Sequence, residues 1–126
     1  MKKYIFLVLM AVFFVGCGAK KQSNIYCWDG TYAKSVYEYI NQDGDINEQI
    51  ANLENLIQKS YKRNRPVAPG IYAHLGLLYS NLGDNVKFID YLDKEAQLYP
   101  ESKAYIEFLK KSNKGKKRWK KLFLQP

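Results

Sequence analysis

Few residues of this 126-residue chain suit acid–base or nucleophilic chemistry, since it holds one His, two Cys and 12 acidic residues. No Ser-containing elbow, HExxH motif or neighbouring Cys accompanies His74. Glu95 and Glu101 would be the carboxyl pair of a glycan-cleaving site, but they flank Pro100, and a helix-terminus or salt-bridge role explains them more simply. The residues therefore predict a structural His74, no enzyme, no metal or cofactor site and no small-molecule substrate.

A chemical role of another kind is predicted for Cys17. Two lysines precede an apolar run over residues 4–15, whose length of about a dozen residues is typical of a signal peptide, whereas a membrane-spanning helix needs about 20. Residues 14–17 (Phe-Val-Gly-Cys) resemble the bacterial lipobox. The resemblance implies cleavage after Gly16 and acylation of Cys17, and Gly18 in place of Asp implies sorting to the outer membrane of a Gram-negative cell. An uncleaved anchor helix with an incidental Cys is the alternative.

Acylation of Cys17 would leave Cys27 without an intramolecular disulfide partner. Free cysteines usually pack as small apolar residues. We therefore expect Cys27 to be buried against Trp28, with an intermolecular disulfide as the alternative.

The positive charge of the chain is concentrated in its last residues. The whole chain has 20 Lys+Arg and 12 Asp+Glu, and eight of the basic residues follow Leu109, after which no acidic residue occurs. A basic helix with one apolar face is typical of a segment that contacts an anionic membrane surface or an acidic partner. A solvated tail is the alternative, and a nucleic-acid partner does not fit an envelope protein. The predicted contact residues are Lys117, Arg118, Trp119, Lys120, Lys121, Leu122 and Phe123.

The body of the chain has helical periodicity and no long alternating segment, which predicts an all-α fold. The predicted helices cover about residues 31–41, 46–63, 71–82, 85–99 and 102–111. Thr31, Asp45 and Asp84 are the predicted N-caps, and Pro100 is placed in the first turn of the last helix. The predicted divisions are a signal peptide (1–16), a lipidated Cys and tether (17–25), a helical-repeat-like domain (26–112) and a basic tail (113–126).

The two central helix pairs have similar sequence patterns, which indicates an internal repeat. Gly44-Asp45 and Gly83-Asp84 are 39 residues apart, each between two helices. Residues 75–100 resemble a tetratricopeptide repeat, which uses Gly where its helices approach closely. Phe88 and Glu95 stand where that repeat usually has Ala, and the bulk of Phe88 is expected to push the helices apart. The resemblance implies two tetratricopeptide-like hairpins and a C-terminal capping helix.

Longer stretches resemble the DUF4810 family of small bacterial lipoproteins. The matching segments are residues 26–32, 36–39, 69–79 and 94–102. Members of that family are typically encoded beside a lipoprotein similar to the curli-export pore and beside another small lipoprotein. The resemblance therefore implies a shared envelope assembly.

The sequence as a whole predicts an outer-membrane-anchored, periplasm-facing lipoprotein that acts as a scaffold or assembly factor. Its partners would be envelope lipoproteins or other periplasmic proteins. A regulatory lipoprotein that binds and activates a cell-wall synthase is the alternative. The predicted partner-binding positions are Trp28, Tyr32, Lys34, Glu38, Ala73, Leu77 and Asn81. The alternative is that these side chains are solvated or contact the next helix.

Overall fold

The computed structural model describes residues 1–13 and 24–124, and this part of the chain is helical, with no strand. Two helical hairpins are followed by one long helix. The helices are α1 (Lys2–Phe13), α2 (Thr31–Asn41), α3 (Ile46–Lys62), α4 (Ile71–Asn81), α5 (Asn85–Leu98) and α6 (Lys103–Phe123), with a 3₁₀ turn at Pro100–Ser102. The predicted all-α fold is confirmed.

Two of the three predicted N-caps are confirmed. The Asp45 side chain accepts a hydrogen bond from the backbone N–H two residues on, at 2.8 Å, and Asp84 accepts one from the N–H three residues on, at 3.0 Å. The prediction for Thr31 is wrong, because Thr31 is already helical and its own N–H donates to Asp29 at 3.1 Å. A carboxyl group two residues upstream therefore caps α2.

Helix α4 is the central element, with eight of its eleven residues buried. One side of it joins a core made with α3, in which Leu53, Leu75 and Leu78 are fully buried. Another side joins a second core made with α5 and α6, containing Phe88 and Ile106. A helix that is apolar nearly all round is buried by its neighbours, and α2, α3, α5 and α6 pack around α4.

The first turn of α4 is capped by a residue of α5. Glu95, which is 2% exposed, accepts hydrogen bonds from the N–H of Gly70 at 2.7 Å and of Ala73 at 3.3 Å. The predicted helix-terminus role of Glu95 is confirmed, although the helix is α4 rather than its own. Gly70 has φ 93°, and the Tyr32 hydroxyl lies 2.6 Å from where a Cβ would stand, so a larger residue would be strained and would clash there.

Helices α4 and α5 are closely packed at Gly76. A Cβ at Gly76 would lie 3.2 Å from the Phe88 carbonyl oxygen and 3.3 Å from Leu92 Cδ2. The prediction that Phe88 pushes the helices apart is wrong, because its ring lies in the second core with Ala73 and Ile106. The backbone of Phe88, not its ring, faces the glycine.

Helix α6 is continuous over 21 residues, so the predicted boundary between residues 112 and 113 does not coincide with a helix end. Lys110 pairs with Asp93 of α5 at 2.5 Å. Asn113 accepts a hydrogen bond from Ser80 at 3.2 Å and donates one to Asn85 at 3.4 Å. These contacts hold the middle of α6 against the α4–α5 hairpin.

The N-terminal apolar segment forms α1, on which Tyr4, Ile5, Val8 and Leu9 are exposed. None of the described helices is long and apolar enough to span a membrane. The predicted lipidation site Cys17 lies outside the described residues.

Candidate functional site

A groove runs between α2 and α6, with α4 as its floor; we call it the α2–α6 groove. Its volume is about 160 Å³. Six of its lining residues are Tyr39 of α2, Leu77 and Asn81 of α4, and Leu109, Ser112 and Lys116 of α6. Lys116 is the charged residue of the lining, which holds no Asp or Glu. The groove is therefore mixed in polarity, with positive charge on one wall.

Aromatic side chains flank this groove. Tyr105 and Phe108 precede Ser112 by seven and four residues, which places them on the same face of α6, and they are 52% and 64% exposed. Burial is the main cause that raises the pKa of Tyr39, and the Tyr105 phenol raises it further. Burial is also the main cause that raises the pKa of Tyr32, followed by the Glu95 carboxyl group and then by the Tyr105 phenol. Tyr105 is therefore near Tyr32 and Tyr39 of α2.

A buried polar network holds α2 against α4. The Ser35 hydroxyl donates to Gln49 Oε1 at 3.0 Å and lies 2.9 Å from His74 Nε2. Because a hydroxyl has one proton, Ser35 accepts its second hydrogen bond from His74 Nε2–H. A His74 that donates through Nε2 is not placed to take a proton from Ser35, so this pair fits packing rather than nucleophilic chemistry.

Two rings of α2 complete the surroundings of His74. Tyr32 and Tyr39 meet the imidazole edge-on, with ring centroids 5.9 and 5.3 Å away. Burial lowers the pKa of the His74 imidazole below its usual value of 6.5, and a hydrogen bond with the Ser35 backbone offsets this in part. The imidazole is therefore neutral at pH 7. It packs against both tyrosines, of which Tyr39 lines the groove.

The comparison with known families agrees with the sequence resemblance. Residues 25–109 match the family described as Domain of unknown function (DUF4810). The chain belongs to the DUF4810 family. No curated protein and no solved structure matches it.

The predicted partner-binding positions of this DUF4810 chain are not all on one surface. Leu77 and Asn81 line the α2–α6 groove. Ala73, which is 4% exposed, lies in the second core and offers a partner no surface. Glu38 faces the α2–α3 turn, where its carboxyl group lies 3.1 Å from the position of a Cβ on Gly44.

The remaining predicted positions lie along the exposed part of α2 and just before it. Lys34 is exposed and pairs with Glu38 at 3.5 Å. Trp28, half exposed, packs against Tyr26 and Tyr32 with ring centroids 6.2 and 6.1 Å away. Tyr26, Trp28 and Tyr32 therefore form an aromatic cluster at the start of α2. The expected burial of Cys27 is also confirmed, since its side chain lies in the first core.

Of the predicted tail residues, Lys117 and Lys120 face the α4–α5 turn and line a second cavity with it. Arg118, Lys121, Leu122 and Phe123 are exposed on the last turns of α6. The Trp119 side chain lies outside the described residues. The basic segment thus has one side toward the DUF4810 domain and one side away from it.

Sequence reasoning missed a tyrosine cluster between α3 and α5. Glu54 accepts hydrogen bonds from the hydroxyls of Tyr79 at 2.8 Å and Tyr91 at 3.2 Å. The two rings stack with centroids 5.5 Å apart, and burial followed by the Glu54 contact raises the pKa of Tyr79 to about 12. The high tyrosine content was the available signal, but it does not identify the partners. Within the described residues, no three His, Cys, Asp or Glu side chains could hold a metal ion together.

The buried His74 predicts a pH-dependent stability. Because its pKa is lower in the folded than in the unfolded chain, its contribution is fully present above about pH 6.5 and is lost as the pH falls toward the folded pKa, by at most about 1.4 kcal/mol per pH unit. His74 is the single His of the chain, so His74→Gln removes this dependence. Urea unfolding at pH 5 and pH 7 should show a larger gap between wild type and variant at pH 7. A gap that is the same at both pH values contradicts the lowered pKa.

Proposed function

We propose that this chain is an outer-membrane-anchored, periplasm-facing lipoprotein that acts as a scaffold or assembly factor in an envelope complex. The observation that carries the proposal is the α2–α6 groove with its exposed aromatic residues. The signal-peptide-like N-terminus and the match to DUF4810 support the compartment and the family context of the proposal.

The size of the groove favours a protein partner. Sites for small molecules usually measure about 300–1,000 Å³, whereas this groove measures about 160 Å³. That volume accommodates individual side chains rather than a whole cofactor or substrate. Exposed Tyr and Phe beside such pockets are typical of the residues that dominate protein–protein contacts.

The chemistry of the walls defines the partner segment. Leu77 and Leu109 offer apolar surface, and Tyr105 and Phe108 extend it along α6. Lys116 adds a positive charge that no acidic lining residue neutralises. We therefore assign the groove to a partner segment that carries apolar side chains together with an acidic one, because this combination is complementary in both polarity and charge.

The anchor part of the proposal is tested at Cys17. Cys17→Ala removes the thiol that the lipid would occupy, so the chain should leave the outer-membrane fraction or accumulate as an unprocessed precursor. Fractionation and mass spectrometry of the full chain from its own cells measure both effects. Cys27→Ala is the matched control and should keep a normal mature mass and location. A normal location and mass for Cys17→Ala would contradict lipid anchoring.

The groove is tested by cross-linking in intact cells. Phe108→Ser removes an exposed ring beside the groove, one turn before Ser112, and Val86→Ser removes an apolar side chain, 81% exposed, at the start of α5 and away from the groove. Loss of an aromatic side chain that is a hot spot of an interface costs about 2 kcal/mol or more, so the Phe108 variant should lose most of the cross-linked partner and the Val86 variant should keep it.

The identity of the cross-linked peptide decides the outcome. The proposal requires groove residues of α2, α4 or α6 to be joined to a segment with acidic and apolar residues from another envelope protein. Recovery of a cell-wall synthase through that same groove would instead establish the regulatory alternative. Equal capture by both variants, or cross-links that avoid the groove, would contradict the proposed site.

A further inference from the structure

A second cavity lies where the α4–α5 turn faces α6, and its lining carries three lysines. Its volume is about 380 Å³. The turn side contributes Ser80, Asn81, Gly83 and Asn85, and α6 contributes Asn113 with Lys116, Lys117 and Lys120. We call it the turn cavity.

Hydrogen bonds fix the position of α6 at this cavity. Ser80 Oγ donates to Asn113 Oδ1, Asn113 Nδ2 donates to Asn85 Oδ1, and Asn85 Nδ2 donates to the Gly83 carbonyl at 3.0 Å. Residues three, four and seven positions after Asn113 lie on the same face of a helix. The contacts of Asn113 therefore turn Lys116, Lys117 and Lys120 toward the turn.

The charge of the turn cavity is uncompensated. Its lining contains three Lys and no Asp or Glu, and the ion pairs of the described residues do not include these three lysines. By contrast, Lys110, one turn before Asn113 on α6, pairs with Asp93. Like charges brought together on one face repel one another, and an anion between them would relieve that repulsion.

We propose that the turn cavity is a binding site for a phosphate group. Lysine ammonium groups bind phosphate as point charges, and three of them match the multiple charge and several oxygens of that group better than a single carboxylate. The neighbouring asparagines supply amide N–H groups as additional donors. At about 380 Å³, the cavity is within the size range of small-ligand sites, about 300–1,000 Å³. The phosphate can belong to a lipid headgroup or to a soluble phosphate ester.

The turn cavity adjoins the proposed partner groove and shares Ser80, Asn81, Asn113 and Lys116 with it, but the two sites can be tested separately. Lys116 lines both cavities, whereas Lys117 and Lys120 line the turn cavity and not the groove. A variant that changes only Lys117 and Lys120 therefore tests the phosphate site without altering the groove lining. If the phosphate test fails, the groove proposal is unaffected. If the groove test fails, the phosphate proposal is unaffected.

The test titrates inorganic phosphate into the full chain in nonionic detergent at constant ionic strength. The readout is the backbone amide chemical shift of Gly83, which lies in the turn, and of Asn85, the first residue of α5. The wild type should show a saturable shift that an equal ionic strength of chloride does not produce. The double variant Lys117→Gln and Lys120→Gln should bind at least about tenfold more weakly, since each lysine beside an anionic headgroup contributes about 1 kcal/mol.

The matched control is the double variant Lys111→Gln and Lys114→Gln, which makes the same charge change on α6 at exposed positions outside the lining. It should titrate as the wild type does, within about twofold, because screened charges away from a site contribute little. Equal weakening by both double variants, or an unsaturable shift, would overturn the site and identify general electrostatic attraction.

A second arm distinguishes the two sources of phosphate. The full chain is placed in phospholipid nanodiscs with and without phosphatidylglycerol, and no free phosphate is added. Movement of the Gly83 and Asn85 amides with phosphatidylglycerol, lost in the Lys117 and Lys120 double variant, assigns the site to a lipid headgroup. Movement only on adding inorganic phosphate assigns it to a soluble ester, and no movement under either condition overturns the proposal.

Discussion

The hydrogen bonds from the start of α4 to Glu95 are the interaction on which the rest of the structure depends. The first N–H groups of any helix lack partners within the helix, and a buried helix cannot bond them to water. Glu95 satisfies two of them across the α4–α5 hairpin, at Gly70 and Ala73. A carboxyl group at that end also interacts favourably with the helix dipole. Because these backbone N–H groups donate to Glu95, α4 can be buried on most of its surface.

The burial of α4 determines where the chain has surface available for binding. Most of α4 faces core residues, and its less buried positions, Leu77, Ser80 and Asn81, lie toward its C-terminal end. Both candidate sites use this end, because Asn81 lines the α2–α6 groove and the turn cavity alike. Since α6 is continuous across both, a ligand in the turn cavity and a partner in the groove would contact the same rigid helix.

Local signals in the sequence predicted the helices, and long-range contacts account for what was missed. Asp45 and Asp84 were identifiable as caps because a cap acts within its own first turn. Thr31 was misassigned because Gly30, with φ 83°, occupies the N-cap position, and the N–H of Thr31 donates to Asp29. The length of α6 was missed because its contacts with α5 and with Ser80 are not visible in a basic, glycine-containing segment.

The site was less predictable than the fold for the same reason. Ser35 and His74 are 39 residues apart, which is also the spacing of the two Gly-Asp turns. This internal repeat was the one signal in the sequence that could have indicated their contact. The groove positions of α2 were assigned from the repeat pattern, which did not place Glu38 at the α2–α3 turn. Glu95 occupies a position that the repeat fills with Ala, and its partners across the hairpin explain the difference.

The most direct test of this account is the exchange of the Gly70 and Ala73 amide hydrogens in Glu95→Gln, compared with the exposed control Glu101→Gln. Glutamine keeps the size of the side chain but turns an N–H donor toward one of the two backbone N–H groups. We expect faster exchange at both amides and a loss of about 2 kcal/mol in the free energy of unfolding, while Glu101→Gln stays within about 0.5 kcal/mol of wild type. Equal stability and equal exchange in the two variants would contradict the central role of Glu95.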